Sequence, residues 1–390
     1  MTRLSRRTPE DLAPGELAAA VERARAGGAA LCDLSVSNPT EVGLAYPTGA
    51  LADALAAGAA APYAPHPRGL ESARRAVAAL FAARGAPVAH DHVLLTASTS
   101  EAYGFLFRLL CDPGDDVLVP APSYPLLEQL ARLEAAEARA YRLTPAPGFA
   151  LDPDRVEAAL GPRTRAVVVV TPNNPTGSVA AAGALAELDD LCAARGVAVI
   201  SDEVFADYPA AGHAPAPTAL AAGGRALTFA LGGLSKSCGL PHYKLGWLAA
   251  AGPAGARDEA LARLDHVADA YLSVATPVMA ALPRLLEIGA AIRGAIADRV
   301  AANRARAASI LGARLLPAAG GWSAVVELPR DTDEDALALR LLARHGVIVQ
   351  PGYYYDLDRG AHAVVSLLVR PDDLDRGLRA LVSESDSRDA

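Results

Sequence analysis

The sequence predicts an α/β protein: a mostly parallel sheet in a large domain, and a smaller α+β domain built from both chain ends. Three observations predict it. Short apolar runs alternate with amphipathic stretches through the middle of the chain, the signature of parallel strands joined by crossover helices. Residues 167–170 are four consecutive valines, which suits a strand buried on both faces. From about residue 261 to 313 the pattern turns long and helical, and short strand-like runs follow it.

Taken in order, residues 93–95 read as a strand before a helix over about 101–110. Residues 117–119 read as a strand before a helix over about 126–136. Residues 197–200 and 226–231 resemble the valine run. Past the long helical region, 322–328, 347–350 and 363–369 read as strands and 374–381 as a final helix, with a polar tail from 383 to 390 expected to fray. The expected division is an N-terminal segment (1–45) joining the small domain, a large domain (46–280) and a small C-terminal domain (281–390). There is no internal repeat.

At 390 residues the chain is long enough for roughly two to three domains. It can bury roughly three quarters of its unfolded surface, so it needs neither disulfides nor metal for its core. Apolar residues make up 52% and charged residues 21%, which excludes a disordered chain. A net charge of −8 without a basic cluster argues against nucleic-acid and anionic-membrane partners. Cys32, Cys111, Cys192 and Cys238 are isolated, which points to free thiols in a reducing compartment and no zinc site. His90 and His92 flank Asp91 in what reads as a polar turn, so no metal is expected. Ser5-Arg6-Arg7-Thr8 looks like the start of a twin-arginine signal, but no apolar stretch follows, and no run approaches 18 apolar residues. A cytoplasmic protein is expected. Phosphate-binding P-loop and dinucleotide glycine motifs are missing.

Chemistry concentrates where strands end, which is where open parallel sheets bind ligands. Past Val170 comes Asn173-Asn174-Pro175-Thr176-Gly177. Past Ile200 comes Ser201-Asp202-Glu203, and past Leu231 comes Gly233-Leu234-Ser235-Lys236. An amide, a carboxylate and an amine at three sheet termini suit pyridoxal 5'-phosphate (PLP). The lysine holds the aldehyde as a Schiff base, the carboxylate keeps the ring nitrogen protonated, and the amide bonds the ring oxygen. Singly, each signal has a bland reading as a cap or a turn. A fourth strand end, Thr96-Ala97-Ser98-Thr99-Ser100-Glu101, opens a helix whose N-terminus can bind phosphate. The same residues also form a capping box.

With these motifs in order, the sequence resembles the fold-type I PLP enzymes of the aspartate-aminotransferase superfamily, in the class I/II aminotransferases. The resemblance runs from Ser37-Asn38-Pro39 to Ser366-Leu367-Leu368. Its most specific pieces are Asn174-Pro175-Thr176-Gly177, Asp202-Glu203-Val204-Phe205, and Leu234-Ser235-Lys236 followed by Gly239-Leu240-Pro241 and Gly246-Trp247. It implies a seven-stranded sheet in the large domain, PLP as cofactor, an L-amino acid and a 2-oxo acid as substrates, ping-pong kinetics and a homodimer with shared sites. Lys236 becomes the Schiff-base lysine and proton carrier, Asp202 the partner of the ring nitrogen, and Asn174 the donor to the ring oxygen. Tyr124 becomes the stacking aromatic, its other reading being a core aromatic. Ser98, Thr99 and Ser100 become the phosphate cradle with Ser235 and Lys244. Tyr63 becomes the residue that reaches the phosphate of a neighbouring subunit, and Asn38 lies in the substrate loop.

Several departures stand out. Phe205 replaces a tyrosine that donates to the cofactor oxygen, so the bound lysine is expected to hold its proton to higher pH. Lys244 replaces an arginine, which keeps the charge but loses the two-pronged fork. Gly233 replaces a serine. The arginine that clamps the substrate carboxylate falls near Val365, with Arg370 the nearest alternative, and no arginine adjoins Tyr271 in the sequence. Tyr353, Tyr354 and Tyr355 could line the pocket. The missing clamp keeps a PLP-dependent C–S or C–N lyase open as the alternative. A non-enzymatic PLP-binding regulator is not expected, because the stretch before Asn38 is short and has no basic recognition helix.

Overall fold

The computed structural model describes residues 2, 4–146 and 148–387. In chain order, β1 (Cys32–Asp33) precedes β2 (Val93–Thr96), β3 (Asp116–Ala121), β4 (Glu137–Arg142), β5 (Thr164–Val170), β6 (Ala198–Asp202), β7 (Thr228–Gly233) and β8 (Gly246–Ala251). After these come β9 (Ser323–Leu328), β10 (Val347–Ile348), β11 (Gln350–Pro351) and β12 (Ala361–Ser366). Strands β2 to β8 form one seven-stranded sheet in the order β2-β8-β7-β6-β5-β3-β4. Only β8 runs against the rest, antiparallel to both β2 and β7.

The valine run explains the sheet's middle. Val167 and Val169 bury toward the helices Pro153–Ala159 and Ala182–Arg195, while Ala166 and Val168 bury toward Thr99–Leu110 and Ala254–Asp269. Each fully buried valine contributes roughly 1.5–3 kcal/mol, and only a strand covered on both faces collects that from consecutive positions.

Two strands escape the sequence reading. β4 (Glu-Ala-Arg-Ala-Tyr-Arg) is an edge strand paired only to β3, so most of its side chains meet solvent and no apolar run marks it. β8 (Gly-Trp-Leu-Ala-Ala-Ala) has an alanine-rich, helix-like composition that sheet packing overrides.

The expected helical stretch 261–313 is two helices, Ala254–Asp269 and Thr276–Leu311, separated by a turn in which Leu272 has φ +44°. Thr276–Leu311 runs unbroken through the expected boundary at 280/281. The helix Pro371–Asp386 continues through residues 383–386, where fraying was expected. Glu384 anchors it by accepting from Arg344 Nη1 at 3.2 Å and pairing with His345 Nε2 at 2.8 Å. Residues 388–390 lie outside the described residues.

Both chain ends meet. β1 pairs in parallel with β10, and Cys32 Sγ donates to the Asp373 carbonyl at 3.2 Å. The helix Glu16–Ala26 packs on Glu334–His345. Antiparallel β11-β12-β9 completes this part of the fold. His90–His92 form a single 3₁₀ turn. Among the described residues no helix is long and apolar enough to cross a membrane, and no cluster of three metal-ligating side chains occurs.

Candidate active site

The register Val170↔Asp202 and Asp202↔Leu231 brings β5, β6 and β7 to the same edge of the sheet. β5 leads into the loop carrying Asn174. β6 ends on Asp202. β7 leads into the short helix Leu234–Ser237, which carries Lys236. β2 leads into the helix Thr99–Leu110, and β8 enters beside it at Gly246, opposite both Thr96 and Gly233. These ends enclose a cavity of about 480 Å³. Ser98, Thr99, Ser100, Tyr124, Asn174, Asp202, Ser235, Lys236 and Lys244 all line it.

The Asn174 loop is held from below by Asn173, whose Oδ1 accepts from Thr176 Oγ1 at 2.8 Å and whose Nδ2 donates to the Pro122 carbonyl at 3.2 Å. Ser323 Oγ donates to Asn174 Oδ1 at 2.9 Å, which leaves the Asn174 amide hydrogens free to donate. Gly177 closes the turn at φ +67°, and a Cβ there would lie 2.5 Å from the Gly320 carbonyl oxygen. Gly177→Ala therefore combines left-handed strain with a backbone clash. It should lower stability by about 2–4 kcal/mol, read as a shift in the urea midpoint.

At the cavity floor, Asp202 Oδ1 accepts from the Val204 N–H at 3.2 Å and Oδ2 from the Tyr103 hydroxyl at 3.0 Å. Burial pushes the Asp202 carboxyl up to about 6, against the downward pull of these two donors and of Lys236. Burial pushes the Lys236 amine down to about 8, against the upward pull of Asp202. Lys236 Nζ sits 4.8 Å from the centroid of Trp322 and 5.6 Å from that of Phe205. Tyr208 donates to the Lys236 carbonyl at 2.5 Å and fixes the backbone beneath the amine.

At the other end, the Ser98 arm of the capping box forms, while the Glu101 carboxylate reaches the residue before the cap. Ser98 Oγ accepts from the Glu101 N–H at 3.2 Å, and Glu101 Oε2 accepts from the Ala97 N–H at 2.7 Å. The capping reading and the anion reading hold together, because the Thr99 and Ser100 amides have no protein partner among the described residues. Gly246 lets β8 pass against this turn: a Cβ there would lie 3.0 Å from Ser98 C and 3.1 Å from Thr99 N. At Gly233 a Cβ would lie 3.1 Å from Gly246 Cα, so a serine there does not fit without movement. Lys244 is exposed and without an ion pair among the described residues. Ser123 Oγ lines the cavity, buried and unpartnered.

This donor set fits PLP. Free amides, hydroxyls and one lysine suit a phosphate, Asp202 suits a ring nitrogen, Asn174 a ring oxygen, and Lys236 an aldehyde. Tyr124 is 49% exposed at the cavity, which removes the core reading. Phe205 is buried edge-on against Trp322, at 5.4 Å between centroids. Phe205→Tyr would add a donor near the lysine. In the PLP-loaded protein, the pH midpoint of the visible absorbance should fall, checked by spectrophotometric titration.

Neither Tyr63, expected at the phosphate of a neighbouring subunit, nor Asn38 lines this cavity. Tyr63 is 76% exposed, in a groove beside Gly69 away from the cavity. Asn38 folds onto its own turn: Oδ1 accepts from Thr40 N at 3.1 Å and Thr40 Oγ1 at 2.8 Å, and Nδ2 donates to Glu41 at 2.8 Å. Its neighbours Ser35 and Ser37 line the cavity instead. Val365 is buried in β12, and Arg370 is exposed with its guanidinium over Gly43. Among the described residues no arginine lines the cavity. Arg108 does reach Tyr271, but Glu134 grips it through two nitrogens at 2.7–2.9 Å. Of the three consecutive tyrosines, Tyr355 lines the cavity, whereas Tyr353 bonds Asp335 at 2.8 Å in solvent.

Sequence reasoning missed Tyr103, Ser123 and Gln350. Only Tyr103 left a signal: it lies four residues after Thr99, on the same helix face.

Comparison with known proteins agrees with this geometry. Residues 31–381 match the family described as aminotransferase class I and II. Nicotianamine aminotransferase A of Hordeum vulgare is 34% identical over 226 residues, covering 56% of this chain and 48% of that protein. Capreomycidine synthase of Streptomyces vinaceus is 34% identical over 319 residues, covering 78% and 77%. The matched stretch spans about half the length of the nicotianamine aminotransferases. An aspartate aminotransferase double mutant of Thermus thermophilus superposes with a TM-score of 0.85 at 26% identity, covering 98% of this chain and all of that one.

Proposed function

The chain belongs to the class I and II aminotransferase family, and from that premise we propose that it is a PLP-dependent aminotransferase. It moves an amino group between an L-amino acid and a 2-oxo acid in two half-reactions. One observation carries the reading: Asn174, Asp202 and Lys236 converge from three adjacent strand ends on a cavity that also receives a free helix N-terminus.

Ser98, Thr99, Ser100, Ser235 and Lys244 would hold the phosphate, Tyr124 the ring face, Asn174 the ring oxygen and Asp202 the ring nitrogen. Once bound, PLP supplies an electron sink for the pair left when the substrate loses its α-proton. Lys236 Nζ anchors the aldehyde and, when free, accepts that proton. An amine near 8 is neutral often enough at neutral pH to act as a base. Trp322 and Phe205 keep water from it. Tyr63, exposed and remote, is read as reaching the phosphate of a second copy, so a homodimer is proposed. The free cysteines, three of them buried, suit a reducing cytoplasm.

Leu126, Leu127, Leu130 and Tyr355 line the cavity, and among the described residues no arginine does. Apolar and aromatic amino acids should therefore outpace aspartate and glutamate as donors. Steady-state assays with a donor and a 2-oxo acid should give equimolar exchanged products and parallel double-reciprocal lines. Ammonia released without any oxo acid would favour the lyase.

A further inference from the structure

Tyr103 is 3% exposed and lines the cavity from the helix Thr99–Leu110. It stands one turn past Thr99, so the same helix presents its N-terminus to the phosphate end and a hydroxyl to the cavity floor. That hydroxyl donates to Asp202 Oδ2 at 3.0 Å and has no other partner among the described residues. The Val204 N–H donates to Oδ1 at 3.2 Å. Each carboxylate oxygen thus holds one protein donor and keeps a lone pair for the cavity.

The ring of Tyr103 cannot swing away cheaply. It packs on Phe107 with centroids 5.7 Å apart, inside the core formed with Phe229 and Leu231. Moving it would orphan both a buried hydroxyl and a buried carboxylate oxygen. The other charged or titratable groups facing this pair are few. Lys236 faces Asp202 from the β7 side, and Tyr141 faces Tyr103. Glu203 is next in the chain but turns to Arg84 Nη1 at 2.7 Å. Tyr141 donates to the Val168 carbonyl at 2.9 Å. Among the described residues Tyr103 is therefore the one side-chain hydroxyl on the carboxylate.

We propose that Tyr103 is a positioning residue that keeps Asp202 ionised and aimed into the cavity, and that ties its placement to the helix turn cradling the phosphate. The proposal rests on the reading of Asp202 as the partner of the ring nitrogen.

The test uses wild type, Tyr103→Phe and Asp202→Asn, each purified as the PLP-loaded protein. Each is titrated with acid while visible absorbance and PLP release are followed, and thermal melts check folding. Tyr103→Phe keeps the ring and should fold. It loses a donor to the charged form only, so the acid midpoint for PLP release should rise by about one pH unit. At neutral pH, PLP should bind roughly tenfold more weakly. Asp202→Asn should bind PLP weakly and lose the pH dependence in that window. If Tyr103→Phe weakens binding equally at every pH, or not at all, while Asp202→Asn behaves as stated, the Tyr103 proposal alone falls. If Asp202→Asn keeps wild-type affinity and spectrum, the reading of Asp202 falls and this proposal falls with it.

Discussion

Lys236→Ala should abolish amino transfer, with turnover falling by at least about 10⁴-fold, since both the anchor and the proton carrier are lost together. The fold should survive. Lys236 ends among aromatic rings, and its amine is held below the ordinary lysine value by burial, so removing it relieves a desolvated charge and breaks no ion pair. PLP should still bind through the phosphate end, but more weakly. The wild-type protein stripped of PLP offers a second reading of the same residue. The neutral amine is the nucleophile, so the rate of PLP uptake should climb through about pH 8, well below the range of an exposed lysine. Both assays need only absorbance spectroscopy. Amino transfer retained in the alanine variant would contradict the assignment.

Asp202→Asn should cost about 10²–10³-fold in turnover, the size seen when one preorganised electrostatic partner of a transition state is removed. Asparagine keeps the shape and the hydrogen bond from Val204 but drops the charge. The pH behaviour separates this from a packing defect. In the PLP-free protein burial holds the folded Asp202 carboxyl up at about 6, so wild-type affinity for PLP should fall as pH drops through 6, while the residual affinity of the variant should stay flat there. Stability runs the other way. A carboxyl raised above its unfolded value penalises the folded state at neutral pH. That penalty is relieved as pH falls through 6 toward the unfolded value. Asp202→Asn should therefore melt at the same temperature as wild type or slightly above it at pH 7. A variant that unfolds instead would mark Asp202 as structural.

Legibility in the sequence followed burial. β5, β6 and β7 could be read because both faces are covered and each carries an unbroken apolar run, Ala166–Val170, Ala198–Ile200 and Phe229–Leu231, which no surface element imitates. β4 could not, since an edge strand meets solvent and its charges read as a helix or a loop. β8 hides in alanines whose strand state comes from its two neighbours. Site residues at strand ends were legible because Asn174, Asp202 and Lys236 follow their strands directly in the chain. Asn38 was misplaced for a local reason: its side chain reaches Thr40 and Glu41 more easily than the cavity. Ser123, Gln350 and Tyr355 come to the cavity only through tertiary packing, including the Ser123 N–H bond to the Tyr355 carbonyl at 3.0 Å.

The most direct measurement is a single-turnover absorbance experiment on the PLP-loaded protein, with an amino-acid panel and no 2-oxo acid. Amino transfer predicts that an apolar or aromatic donor removes the visible absorbance in a one-to-one ratio to sites. One 2-oxo acid should appear per site, and no ammonia. Visible absorbance that persists while ammonia accumulates would contradict the transferase and establish a lyase. A protein that gains no visible absorbance on adding PLP would contradict the roles given to Lys236 and Asp202.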